Sequence, residues 1–482
     1  MRKELKHNLK VNPYDYQQEG ILFGLDKKRF LIGDEPGLGK TLQSIGVIDC
    51  AKAYPCLVIC PSSLKINWQR EFEKFSEARA LVLDNQTRTT FPYLLKMGMY
   101  QVAIVNFESL RKYFVWDIKA NGAFRLKDVV FADYIKMFRS VIIDESHRVK
   151  DPSAQQTIFT KGLTMGKKYI ALLSGTPVVN KPEDLIAQLS IMERLGEDFG
   201  SRAKFVNDYC SFTKEQTEEQ AEALAELSRR LYSTCMIRRE KKTVLTELPD
   251  KTRTDLIVDL DAKGREAYDT AEADLREYLE KYTECTDSEI RRKMRMEALV
   301  KFMTLRSLSA KGKVKQAIDF VKTFLANDMP LILFCSLHEI VDELKKAFPE
   351  AVTITGRDSL VSKQGAVDAF QSGRAKLAIC SIKAAGVGLT LTASSNVAFV
   401  ELPWTYADCC QCEDRAHRIG QKDNVTCYYL LGRSTIDTAL YNIIHRKKSI
   451  ANRIMAANDD IPQDEMYFDE LVSNFMGGKQ DG

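Results

Sequence analysis

The sequence predicts an α/β protein of two lobes, each a parallel sheet with flanking helices. Short apolar runs that end in polar, Gly- or Pro-containing turns recur between residues 30 and 177, and the pattern returns between residues 330 and 431. A long helix-rich stretch separates the two sets, and at 482 residues the chain exceeds one ordinary compact domain.

In chain order, Phe30–Ile32, Cys56–Cys60, Val102–Val105, Val141–Ile143 and Tyr169–Leu173 are apolar throughout, as strands buried on both faces are. Mixed stretches between them, such as Leu64–Ser76, supply helices for right-handed crossovers and hence a parallel sheet. From 182 to 311 the chain is rich in Ala, Glu, Leu, Arg and Lys at helical spacing, notably Glu215–Leu231 and Asp261–Ser307, with few strand signals. Strand-like runs resume at Pro330–Phe334, Ala351–Ile354, Leu377–Cys380, Val397–Val400 and Val425–Leu431. The expected division is a first lobe at 1–240 with a helical insertion from about 182, then a linker and helical protrusion at 241–311. A second lobe at 312–455 and an acidic, solvated tail at 456–482 complete it.

Composition excludes several classes. With 45% hydrophobic and 28% charged residues the chain is neither disordered nor fibrous. Its 70 basic and 66 acidic residues leave a net charge of only +4, so any nucleic-acid face must be local. Twelve cysteines, mostly inside apolar runs, suit a reducing compartment. Cys409, Cys410 and Cys412 lack a second Cys/His pair at ligand spacing, so core packing is expected there and no structural metal. No secretory signal or membrane-length apolar run occurs, which predicts an intracellular protein without a membrane partner.

Phe30-Leu31-Ile32 runs into GDEPGLGKT, and LQSIGVIDCA follows with helical spacing, giving a strand, a glycine loop and a helix. Gly37 and Gly39 allow successive N–H groups to turn inward as an anion nest at a helix N-terminus. Lys40 would reach the β- and γ-phosphates, and the Thr41 hydroxyl suits Mg²⁺. Asp34 holds the position usually given to the loop's first glycine. A glycine turn could precede a helix by chance. That reading weakens once Val141-Ile142-Ile143-Asp144-Glu145 is added, because a strand delivering two carboxylates at its end lies where open α/β sheets bind ligands. Asp144 would hold the magnesium shell, and Glu145 would orient and deprotonate water. In the second lobe, Arg415 and Arg418 stand three apart, on one face if helical. They could neutralise a transferred phosphoryl group, or simply pair with Glu413 and Asp414.

DEPGLGKT, VICPSSLKINWQREFEKF, IIDESH, LLSGTP, AGVGLTLT and QCEDRAHRIGQ occur in that order. This series resembles the Swi/Snf-type ATPases, superfamily 2 helicase-like DNA translocases, over most of residues 12–450. Within them it looks most like the small annealing-helicase and fork-remodelling subgroup or its phage and bacterial relatives. The resemblance implies two RecA-like lobes that clasp ATP and Mg²⁺ between them, with double-stranded or forked DNA lying across both. By position it makes Gln17 the adenine contact, Gln411 a neighbour of the γ-phosphate, and Arg415 and Arg418 arginine fingers. It makes Ser174 and Thr176 the residues that link nucleotide state to lobe closure. Pro61, Ser62, Asn106, Ser381, Thr390 and Trp404 become DNA contacts. The chain departs from the family at Pro36, where methionine is usual, at Thr405 and Tyr406, where Asn-Pro is usual, and at Gln364, near a frequent arginine.

Three functions are compatible with these residues. A duplex-DNA translocase remodels DNA or protein–DNA complexes without sequence preference. A helicase separates DNA or RNA strands. A scaffold merely holds nucleotide, which the presence of Lys40, Glu145, Arg415 and Arg418 argues against.

Overall fold

The computed structural model describes residues 7–482 except 121, 176–181, 211–217, 246, 286, 386–388, 404–405, 443, 445–470, 474 and 477–482. The chain divides into two compact units, one built from residues up to 246 and the other starting at Glu247.

The first unit contains β1 (Arg29–Ile32), β2 (Cys56–Cys60), β3 (Ala80–Val82), β4 (Val102–Asn106), β5 (Val115–Ile118), β6 (Val129–Phe131), β7 (Ser140–Asp144), β8 (Tyr169–Leu173) and β9 (Met236–Ile237). Seven of these form one sheet in the order β3-β4-β2-β7-β8-β1-β9. Every pairing in it is parallel, so all its strand C-termini share one edge. β5 and β6 form a separate antiparallel pair. The central strands are buried along their whole apolar length, as expected for a sheet covered by helices on both faces. The covering is read directly from helix periodicity: in Lys65–Phe75 the buried residues Trp68, Phe72 and Phe75 recur every three to four positions. Each such fully buried large apolar side chain contributes about 1.5–3 kcal/mol.

The second unit repeats the plan with β10 (Lys251–Val258), β11 (Leu331–Cys335), β12 (Val352–Ile354), β13 (Leu377–Ser381), β14 (Asn396–Phe399) and β15 (Val425–Gly432). Their order is β10-β15-β14-β11-β13-β12, again all parallel. Helices Ala262–Glu284 and Ser288–Gly312 pack Tyr268, Leu275 and Leu279 with Ala298, Phe302 and Leu305 in this unit's core.

The two-lobe α/β expectation holds, and the ten predicted strands fall within a residue or two of observed ones. Two readings are corrected. Residues 241–311 are not only linker and helix, because β10 forms the edge of the second sheet. Its burial alternates and it carries Lys251, Arg253 and Asp255, so it presents no continuous apolar run. The helical reading of Asp261–Ser307 holds, as two helices, the second capped by the Asp287 carboxylate, which accepts from the backbone N–H groups of Glu289 and Ile290. The acidic tail is not wholly solvated: Leu471, Val472 and Phe475 are buried in the second core, with the Phe475 ring edge-on to Phe302.

Candidate nucleotide site

In the first unit the expected residues meet on the C-terminal edge of the sheet. β1 and β7 both flank β8, and Leu173 is in register with Ile32 on one side and Asp144 on the other. The loop after β1, the carboxylates ending β7 and Ser174 after β8 are therefore neighbours through strand order alone.

The glycine loop is held by donors aimed at its carbonyls. Tyr16 Oη and Gln17 Nε2 donate to the Leu38 carbonyl at 3.1 and 3.2 Å. Because the peptide is planar, fixing that carbonyl turns the Gly39 N–H the opposite way, the arrangement of an anion nest. Gly37 and Gly39 have φ of 91° and 74°, and a Cβ on Gly39 would lie 2.4 Å from Gln17 Nε2. Both conformation and space thus require glycine at Gly39. Helix Lys40–Cys50 starts immediately after, directing its positive end into the nest. Lys40 Nζ donates to the Asp34 carbonyl at 2.6 Å. A Cβ on Gly175 would stand 3.0 Å from Pro36 and 3.7 Å from Lys40 Nζ, so the segment after β8 backs directly onto the loop.

Asp34, expected among the nucleotide contacts, spends its carboxylate elsewhere. It is fully buried, and Arg239 donates to its two oxygens at 3.1 and 2.7 Å while Gln43 adds a third bond at 2.9 Å. Arg239 also donates to Gln43 Oε1 at 2.6 Å and to the Tyr16 carbonyl. Asp34 therefore shapes the loop, and its backbone carbonyl, not its carboxylate, faces Lys40.

Asp144 and Glu145 sit in different environments. Asp144 accepts from Trp68 Nε1 at 2.9 Å and from the Glu145 N–H at 2.9 Å. Burial, with the neighbouring Glu145 charge, raises the Asp144 pKa to about 6, against the pull of Trp68 and Lys40. Two adjacent carboxylates near Lys40 offer hard oxygen donors of the kind that fits Mg²⁺. Glu145 sits in the left-handed region at φ 51°, a conformation costing about 1–3 kcal/mol that clusters at functional sites. Its Oε2 lies 3.4 Å from His147 Nδ1, and about a fifth of its side chain is exposed (21%), which leaves room for water. His147 Nδ1 in turn lies 3.1 Å from Ser174 Oγ. A chain Glu145–His147–Ser174 thus links the ends of β7 and β8.

In the second unit Arg415 and Arg418 do come together, though not on a helix. Helix Tyr406–Glu413 ends before them, and they occupy the turns that follow, pinned by Gln421 Nε2 donating to the Ser394 and Ala416 carbonyls at 2.9 and 3.2 Å. Both guanidinium groups donate to the Leu389 carbonyl, at 3.2 and 3.1 Å. Glu413 and Asp414 are engaged by β10: Lys251 and Arg253 reach Glu413, and Lys251 reaches Asp414. Gln411 lies on the helix, and its carbonyl accepts from Arg415 Nε at 2.9 Å. Cys409 and Cys412 are buried in the core, and that burial pushes their thiols up.

Of the expected DNA contacts, Pro61 and Ser62 follow β2, and Asn106 ends β4 beside them. Asn106 Nδ2 donates to Glu108 at 2.8 Å. Ser381 ends β13, and Thr390 lies in the stretch between β13 and β14. Thr176 and Trp404 lie outside the described residues. No helix among the described residues is long and apolar enough to cross a membrane.

Sequence reasoning missed Arg239, Gln43, Trp68 and His147. Trp68 has the spacing of a core residue and is one, with only its indole N–H diverted to Asp144. His147 lay inside a quoted motif and could have been assigned.

Residues 16–313 match the SNF2-related domain, and residues 312–420 match the helicase conserved C-terminal domain. The chain is 29% identical over 463 residues to the Caenorhabditis elegans "SWI/SNF-related matrix-associated actin-dependent regulator of chromatin subfamily A-like protein 1 homolog", covering 92% of this chain and 62% of that protein. It is 31% identical over 468 residues to the Homo sapiens "DNA annealing helicase and endonuclease ZRANB3", covering 92% of this chain and 40% of that one. The solved "Sulfolobus solfataricus SWI2/SNF2 ATPase core in complex with dsDNA" shares 22% identity over 95% of this chain and 96% of its own, with a TM-score of 0.44.

Proposed function

We propose, since the chain belongs to the SNF2-related family, that it is an ATP-dependent translocase on double-stranded DNA. The observation that carries the hydrolytic half is the gathering of the Lys40 loop, Asp144, Glu145 and Ser174 on one sheet edge. In this reading Lys40 and the nest bind the β- and γ-phosphates, while Thr41 and Asp144 hold Mg²⁺, which supplies charge neutralisation when bound. Gln17, already against the loop, contacts the base. Glu145 orients the attacking water and takes its proton. Arg415 and Arg418 neutralise charge developing on the transferred group, with Gln411 near the γ-phosphate. The Glu145–His147–Ser174 chain, with Thr176, reports nucleotide state.

The DNA half is supported by the relatives, among them one whose name describes a DNA annealing helicase. Pro61, Ser62, Asn106, Ser381, Thr390 and Trp404 are the residues assigned to the phosphate backbone, so binding is sequence-tolerant and salt-sensitive. Double-stranded or forked DNA and protein–DNA complexes are its substrates, which places its work inside the cell. Strand separation is the second reading, since a strand-separating helicase would use the same nucleotide residues.

The test is the ATPase rate against duplex, forked and single-stranded DNA and RNA. Stimulation by duplex and forked DNA is expected. A flat rate across the panel overturns the DNA assignment, and release of an unpaired strand from a tailed duplex selects the helicase reading.

A further inference from the structure

The peptide between the two units is engaged at its start by the first unit's glycine loop and at its far end by the second unit's arginine turn. At its start, Arg239 holds the buried Asp34 carboxylate, Gln43 and the Tyr16 carbonyl. Two residues on, the Lys241 N–H donates to Glu35 Oε2 at 2.8 Å, and the Glu35 N–H donates back to the Arg239 carbonyl at 3.1 Å. At its far end, the Pro249 carbonyl lies 2.8 Å from His417 Nε2. Lys251 Nζ reaches Glu413 and Asp414 at 2.9 and 3.0 Å, and Arg253 donates to both Glu413 oxygens at 2.6 Å.

Each engagement answers an electrostatic problem. A buried carboxylate inside a loop built for phosphates would repel the triphosphate, and leaving it unpaired is costly. The planar Arg239 fork neutralises Asp34 while its remaining donors tie the loop to Tyr16, which itself fixes the Leu38 carbonyl. The second unit poses the converse problem. Glu413 and Asp414 directly precede Arg415, and unneutralised they would draw its guanidinium, or that of Arg418, away from the shared Leu389 carbonyl. With Lys251 and Arg253 on those carboxylates, both arginines keep their common direction.

We infer that Arg239 in the first unit and Lys251 with Arg253 in the second are positioning residues: Arg239 sets the phosphate loop, and Lys251 and Arg253 set the arginine turn. The inference rests on the nucleotide reading above. Neither arginine touches the reacting atoms; each acts through the group it holds. The short strand β9 exists in this light to deliver Arg239, and the edge strand β10 to deliver Lys251 and Arg253.

The two ends predict opposite kinetic signatures, which a general loss of stability would not produce. Arg239→Gln raises the KM for ATP by about 10–100-fold, the usual effect of removing an outer-shell partner, and leaves kcat within about threefold. Arg253→Gln lowers kcat by about 10–100-fold with KM within about threefold. Neutralising the orphaned acid restores each: Asp34→Asn/Arg239→Gln recovers KM, and Glu413→Gln/Arg253→Gln recovers kcat. Where a Gln variant fails to fold, Arg239→Lys and Arg253→Lys, which keep the charge and lose the fork, show the same split at smaller size. Unaltered constants, KM and kcat moving together in both variants, or double variants no better than the singles overturn the inference alone, given wild-type turnover. A wild-type chain that neither binds nor hydrolyses ATP overturns the nucleotide reading and this inference with it.

Discussion

The two units present charge by opposite means. In the first, the candidate groups leave the ends of parallel, buried strands, and strand order sets their spacing. In the second, Arg415 and Arg418 leave turns beyond a helix end and rest on one backbone carbonyl. A strand end has little freedom to move, whereas a turn is placed by whatever holds it. The first unit's groups are thus set by strand order, and the second unit's by the hydrogen bonds that hold its turns.

That contrast is broken most sharply at the arginines. Arg415→Ala or Arg418→Ala should lower kcat by about 10³-fold or more while binding of a fluorescent ATP analogue stays near wild type. Comparable losses of affinity and turnover would show that these groups bind nucleotide in the ground state. Next, Glu145→Gln should cost about 10²–10⁴ in kcat and retain nucleotide, trapping it in single-turnover assays; turnover equal to wild type would return the chain to a nucleotide-holding scaffold. A smaller effect should follow Trp68→Phe, which keeps the ring in the core and deletes the donor to Asp144. The Mg²⁺ concentration for half-maximal activity should rise about tenfold, read by metal titration at saturating ATP.

The smallest effect sharpens the second unit's side of the contrast. Burial alone would raise the Glu413 carboxyl, but Lys251, Arg253 and the Tyr429 hydroxyl outweigh it and hold its pKa below the ordinary value. A depressed folded pKa gives stability that is complete above the unfolded value of about 4.3 and is lost as pH falls through the lower folded one. The Tm of wild type should therefore fall more steeply below about pH 4.3 than that of Glu413→Gln. Parallel curves would mean that the carboxylate network holds nothing.

Much of the first unit was legible in the sequence because its signals are local. Buried parallel strands read as unbroken apolar runs, and the loop at Asp34–Thr41 shows its glycines in eight consecutive residues. The role of Asp34 was not legible, since its partner Arg239 is 205 residues away in a stretch without periodicity. β10 escaped for a related reason: an edge strand whose charged residues face Glu413 and Asp414 looks like linker until its partners are known. The arginines' shared direction followed from their spacing only if they were helical; the helix ends at Glu413, and the turns beyond it produce the same convergence. The burial of Leu471, Val472 and Phe475 was masked by the acidic residues around them.

The central claim, that ATP hydrolysis moves this chain along duplex DNA, is tested most directly by displacement of a third strand from a duplex carrying a triplex-forming site. Wild type should release the third strand only with ATP and Mg²⁺, leave the underlying duplex intact, and lose the activity on Glu145→Gln substitution. DNA-stimulated hydrolysis without third-strand release would contradict it.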